Sequence, residues 1–95
     1  MLVYLRAEWS AASLALEREI WTDPGVVRAA RGFVDLKVDV SSAEGDAELL
    51  ARFYDARTIP TTVVLDAEGT RVATLVGRFG RDELLVAMRT AQASP

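Results

Sequence analysis

The order in which the hydrophobic pattern changes period constrains this chain more than any other feature. Leu2-Val3-Tyr4-Leu5 is a short, almost wholly apolar run of β-formers, suited to a strand buried on both faces. Ser10 offers an N-cap, and Ala11 to Ile20 are mostly good helix formers, so the first strand runs into a helix through Arg6-Ala7-Glu8-Trp9. Asp23-Pro24 restarts the pattern, because Asp caps well and Pro is favoured at the first helical position; a short helix over Pro24 to Arg31 follows, closed by Gly32. Phe33 to Val40 sets Phe33, Val34, Leu36, Val38 and Val40 against Asp35, Lys37 and Asp39, which predicts a second strand. Ser41 with Glu44 three residues later resembles a capping box, and Leu49, Leu50, Phe53 and Tyr54 share one face of a second long helix. Ile59-Pro60 ends it, and the β-branched Thr61-Thr62-Val63-Val64-Leu65 predicts a third strand. The turn Asp66-Ala67-Glu68-Gly69 and a fourth strand over Arg71 to Val76 complete a hairpin. Gly77 and Gly80 precede a last helix with Leu84, Leu85, Met88 and Ala91 as its buried stripe, fraying from Gln92 onward.

The order is β-α-β-α-β-β-α. Two βα units imply a parallel pair joined by a right-handed crossover, and the terminal hairpin is antiparallel, so the expected class is α/β with a mixed sheet. No internal repeat, low-complexity tract or linker interrupts the 95 residues, which have room for one core and are read as a single domain over 1–95. The chain has no cysteine, which excludes disulfides, thiolate metal sites and thiol nucleophiles, and no histidine, which removes the usual neutral-pH base and any Ser-His-Asp triad. Without clustered carboxylates, a phosphate loop, Gly-x-Gly-x-x-Gly or a calcium loop, neither metal nor cofactor is expected. Eleven basic against 14 acidic residues give a net charge of -3, which disfavours nucleic acid as a partner. Lys37 is the single lysine; the arginine and alanine bias reads as the coding habit of a GC-rich genome rather than as an arginine-based site. No apolar run approaches the roughly 18 residues of a membrane span. Residues 1 to 8 read as a strand rather than a signal peptide, so the expected location is cytoplasmic for the chain as written, and periplasmic if it is excised from an exported parent.

Three segments, in order, carry a resemblance to a known family. Ala7-Glu8-Trp9-Ser10-Ala11-Ala12-Ser13 matches an Ala-(Glu/Asp)-Trp-Cys-x-x-Cys motif at the end of the first core strand, and Leu16-Glu17-Arg18-Glu19-Ile20-Trp21-Thr22-Asp23-Pro24-Gly25-Val26 continues it. Thr58-Ile59-Pro60-Thr61 matches a cis-proline segment, and Val76-Gly77 a glycine on the strand after the hairpin. With these residues the chain resembles the thioredoxin superfamily, in particular its DsbD C-terminal-domain-like members. The resemblance implies a four-stranded thioredoxin fold of strand order 2-1-3-4, with the third strand antiparallel to the first and helices on both faces. It also implies thiol-disulfide exchange, from which the chain departs at the central point: Ser10 and Ser13 occupy the two cysteine positions. A hydroxyl keeps the shape but is not ionised near neutral pH and cannot form the mixed disulfide, so the chain as written is expected to be redox-silent. Two origins fit the serines: an engineered Cys-to-Ser pair, towards which their likeness to each other leans, or a natural domain that kept fold and docking surface without thiols.

In the family's terms Ser10 and Ser13 mark the catalytic positions. Glu17 stands where DsbD-like domains carry a carboxylate able to serve proton transfer, and equally reads as an ordinary exposed helix glutamate. Tyr4 stands where many thioredoxins have a buried aspartate, so that second acid is missing. Pro60 is expected in cis, which lets residue 59 present its backbone to an extended substrate strand. Trp9, Ile59 and Phe79 are expected as an apolar rim around the Ser-x-x-Ser loop and, with Ala11, Ala12 and Pro60, as the substrate-binding set; Trp21 is expected in the core. The leading reading is a thiol-disulfide oxidoreductase domain silenced by its serines, the alternative a non-catalytic binding module for protein or peptide. In both, the partner is a protein docking at the cis-proline groove, and the chain is expected to be monomeric.

Overall fold

The computed structural model describes residues 1–41, 52 and 58–93. Within them lie β1 (Leu2–Arg6), α1 (Ala11–Glu19), α2 (Pro24–Ala30), β2 (Asp35–Asp39), β3 (Thr61–Leu65), β4 (Arg71–Val76) and α3 (Arg81–Ala93). The second long helix expected between β2 and β3, with its capping box at Ser41 and Glu44, falls outside the described residues apart from Ser41 and Arg52.

The sheet order is β2-β1-β3-β4. β1 pairs in parallel with β2, from Leu2 opposite Asp35 to Arg6 opposite Asp39, and antiparallel with β3, Leu2 facing Val64. β3 and β4 form the expected antiparallel hairpin, with an irregularity between Val64 and Leu65. The two central strands are buried at every position, as continuous apolar and β-branched runs require. The alternation expected in β2 holds only in part: Val38 is buried, whereas Leu36 is 38% exposed. Among the described residues β2 is an edge strand, with a neighbour on one side only.

Each sheet face has its own core. Leu2, Tyr4 and Val64 pack with Leu16 and Ile20 of the α1 end, Val26 of α2, and Leu84 and Met88 of α3. Val3, Leu5 and Val63 cluster on the opposite face with Val38, Val40 and Ala7, and Ile59 packs against them. Asp23 caps α2 as its sequence predicts, accepting from the backbone N–H of Gly25 at 2.9 Å and Val26 at 3.1 Å. The buried stripe of α3 is Leu84, Ala87, Met88 and Ala91, so Ala87 takes the place expected of Leu85, which is half-buried. The 3.6-residue period puts 84, 87, 88 and 91 on one face. Ala91 in the core also holds the last turn down, and the helix runs to Ala93 instead of fraying at Gln92.

Gly69 closes the hairpin with φ +83°, and Asp66 Oδ1 accepts from the N–H groups of Glu68 and Thr70. Gly77, at φ +72°, donates its N–H to the Pro60 carbonyl at 2.8 Å, so the end of β4 is tied to the start of β3. Among the described residues no helix is long and apolar enough to cross a membrane.

Leu84 is fully buried and Val86, two residues away, is 57% exposed. Leu84→Ala is expected to cost about 2–5 kcal/mol in urea unfolding, and Val86→Ala no more than about 0.5 kcal/mol. Equal effects would contradict the assigned face of α3.

Candidate functional site

β1 carries the chain to one end of the sheet, where it reverses tightly: the Ser10 N–H donates to the Ala7 carbonyl at 3.1 Å. Ser10 has an extended backbone (φ −93°, ψ 111°) and caps α1, its Oγ accepting from the Ser13 N–H at 3.2 Å. The same hydroxyl donates to the Ile59 carbonyl at 3.3 Å. Ile59-Pro60 is cis, as expected, and Pro60 is buried. Ser10, Ile59 and Pro60 are therefore brought together from positions 49 residues apart in the chain. Ser13, one turn into the helix, has no exposure and accepts from the Ala7 N–H at 3.4 Å.

Beneath this turn lies a charge cluster that sequence reasoning missed. Arg6, expected as loop, is the last residue of β1 and only 3% exposed. Its Nε and Nη2 grip Glu17 Oε2 and Oε1 at 2.9 and 3.0 Å, a two-point contact, while Nη1 reaches Glu8 at 2.8 Å and Asp39 at 2.7 Å. Ser41 donates its hydroxyl and its N–H to Asp39 Oδ1, and its Oγ accepts from the Glu8 N–H at 2.9 Å. The Tyr4 hydroxyl donates toward Glu17 Oε2 at 2.8 Å and lies 3.2 Å from the Ser13 carbonyl oxygen. The only sequence signal was a charged residue ending an apolar run; the partners at 8, 17 and 39 become adjacent through the parallel register and the α1 docking.

These contacts set the protonation states. Burial by itself would raise the Glu17 carboxyl, but hydrogen bonds from Arg6 and Tyr4 and the Arg6 charge outweigh it and hold it below the ordinary carboxylate range. Asp39 is brought down to about 2, chiefly by the two Ser41 hydrogen bonds and then by Arg6. Burial, followed by the hydrogen bond to Glu17, pushes the Tyr4 phenol well above its usual value. Hydrogen bonds to Glu17 and Glu8 raise the Arg6 guanidinium further still. Glu17 is thus neither free nor fully exposed, but the ionised partner of a buried cation.

The expected rim is only partly present. Trp9 is 66% exposed, Ala11 is exposed, and Ala12 and Ile59 are half-buried. Phe79 is not on the rim: it is 8% exposed and packs edge-on to Trp21, with ring centroids 6.3 Å apart and planes at 80°. Trp21 in turn lies 5.1 Å from the Tyr4 ring, and this aromatic row fills the helical core where Phe79 gains more by burial than by standing in solvent. Among the described residues, no group of three or more histidine, cysteine, aspartate or glutamate side chains is arranged to hold a metal ion.

A family model described as thioredoxin-like matches residues 1–67. The chain belongs to the thioredoxin-like family. A curated relative, the thiol:disulfide interchange protein DsbD of Ralstonia nicotianae, is 31% identical over 94 residues, covering 94% of this chain but 16% of that protein. This thioredoxin-like chain therefore spans a small part of the relative it matches. Among solved structures, the C-terminal domain of DsbD from Neisseria meningitidis superposes with a TM-score of 0.82 in its reduced form, at 17% identity over 97% of this chain and 80% of that one. Its oxidised form gives 0.84, also at 17% identity, over 97% and 79%. A thioredoxin from Thermus thermophilus gives 0.78 at 29% identity over 94% and 70%. The thioredoxin fold, with its Ser-x-x-Ser turn beside a cis-proline, is thereby established for the chain.

Glu17 and Asp39 have lowered folded-state pKa values, so their contribution to stability is present above the unfolded carboxylate range near pH 4 and is lost as pH falls through the folded values. Urea unfolding is expected to show stability declining from pH 5 towards pH 2. Arg6→Met removes the cation that Glu8, Glu17 and Asp39 share and is expected to be destabilising at pH 7. It should also flatten the decline; an unchanged acid slope would show that Arg6 does not set these carboxylates.

Proposed function

We propose that this domain is a DsbD-like disulfide-interchange scaffold in which Ser10 and Ser13 stand at the two thiol positions, so that it is redox-silent as it stands while keeping the surface on which an exchange partner docks. The observation that carries this reading is the placement of Ser10 Oγ, capping α1 at 3.2 Å from the Ser13 N–H and 3.3 Å from the carbonyl preceding Pro60. A sulfur at that point would meet a backbone amide and the positive end of the helix, the surroundings that acidify a thiol. Exchange needs two sulfurs: one thiolate attacks a substrate disulfide and releases a substrate thiolate, and the second displaces the mixed disulfide to close an intramolecular one. Two hydroxyls can do neither. Glu17, in this reading, is a fixed negative charge below the turn rather than a proton carrier, because Arg6 and Tyr4 occupy its oxygens.

The docking surface is the exposed Trp9 indole with Ala11, Ala12, Ile59 and Pro60, and the partner is an extended segment of another protein. One observation favours the second reading, a natural non-catalytic binding module. Ser10 Oγ both accepts from Ser13 and donates to Ile59, a pair of hydrogen bonds that a thiol makes poorly and a hydroxyl makes well.

The test is reduction of insulin disulfides by dithiothreitol with this chain and with its Ser10→Cys/Ser13→Cys variant. The chain itself is expected to give no acceleration and the double variant a clear one. A double variant that is folded yet inactive would remove the oxidoreductase reading and leave the binding module.

A further inference from the structure

A groove of about 480 Å³ opens between β1, β2 and the corner where α1 gives way to α2. Its size is that of a small-molecule site. Leu2 and Val26, both nearly fully buried, line it, and Val27 and Phe33 leave apolar surface uncovered at its sides. Trp21 lines it as well, and the Trp21 indole N–H is buried without a hydrogen-bond partner. A groove with such a lining is apolar enough to take hydrocarbon.

The charges around the groove are unequal. Glu17 is held in a two-point contact by Arg6, which also pairs with Glu8 and Asp39. Arg31 and Lys37 line the groove and enter no ion pair among the described residues, while Asp35 is the one remaining carboxylate. Burial pushes the Asp35 carboxyl up, so this group is itself poorly accommodated as an anion. Two exposed cations, Arg31 and Lys37, thus stand at the groove beside Asp35, and they complement the single charge of a carboxylate.

We propose that this groove binds a small amphiphilic carboxylate, its hydrocarbon body against Leu2, Val26 and Trp21 and its carboxylate between Arg31 and Lys37. The site is separate from the Ser10 turn and does not depend on whether the chain ever carried thiols.

The test is a two-dimensional ¹⁵N NMR titration of the whole chain with decanoate, kept below its micelle concentration, and in parallel with decan-1-ol. The Trp21 indole signal is assigned as the one that survives in Trp9→Phe. Decanoate is expected to shift the Trp21 indole and the Val26 and Val27 amides saturably, at one site. Arg31→Gln/Lys37→Gln exchanges two exposed side chains and is expected to fold normally while weakening decanoate about fivefold or more, with decan-1-ol binding unaltered. Absence of a saturable shift, shifts confined to other surfaces, equal affinity for acid and alcohol, or unchanged decanoate affinity in the double variant would each overturn the proposal.

Discussion

The guanidinium of Arg6 is the fixed point of this structure. A cation withdrawn from water at the end of a central strand is tolerated only when its charge and its donors are met, and here three carboxylates from three different parts of the chain meet them. Glu17 brings α1 down onto the sheet, Asp39 holds the end of the parallel neighbour, and Glu8 anchors the turn that leads to Ser10. Ser41 then links Asp39 to the Glu8 backbone, so the two loops at this end of the sheet share one hydrogen-bond network. The Ser10 turn is joined to the Pro60 segment by its own hydroxyl, which donates to the Ile59 carbonyl.

The chemistry of the turn differs from its geometry. Position 10 has an extended N-cap backbone, an amide aimed at its side chain and a neighbouring backbone carbonyl. What sits there is an oxygen whose proton stays on at any ordinary pH, and the local hydrogen bonds use it as a strut. The phenol of Tyr4 beneath it has the same character, because burial and the Glu17 carboxylate keep it protonated and holding position.

Edge strand β2 serves three ends with one short pattern. Its charged residues Asp35, Lys37 and Asp39 face the same side as Leu2, Tyr4 and Arg6, the side on which α1, α2 and α3 pack. Asp39 completes the Arg6 cluster, Lys37 and Asp35 flank the apolar groove, and all three discourage pairing with another chain's edge. Of their apolar alternates, Val38 joins the core cluster of Val3, Leu5 and Val63, and Leu36 does not.

Much of this was written in the amino-acid order. Period changes along the chain and the caps at Ser10 and Asp23 specify the elements, since a strand's period of two, a helix's of 3.6 and a capping side chain are all local properties. The Ser-x-x-Ser turn and the cis Ile59-Pro60 bond were legible through the resemblance to the thioredoxin superfamily. The side assigned to Phe79, the helical stripe through Ala87 and the exposure of Leu36 were not, because burial depends on which neighbours arrive from elsewhere. Arg6 illustrates the division most plainly: sequence shows an arginine after four apolar residues, and only the parallel register and the docked first helix turn it into the centre of a three-carboxylate cluster. Local pattern determines what each segment becomes; long-range electrostatics and packing, which no segment contains, decide which groups face one another.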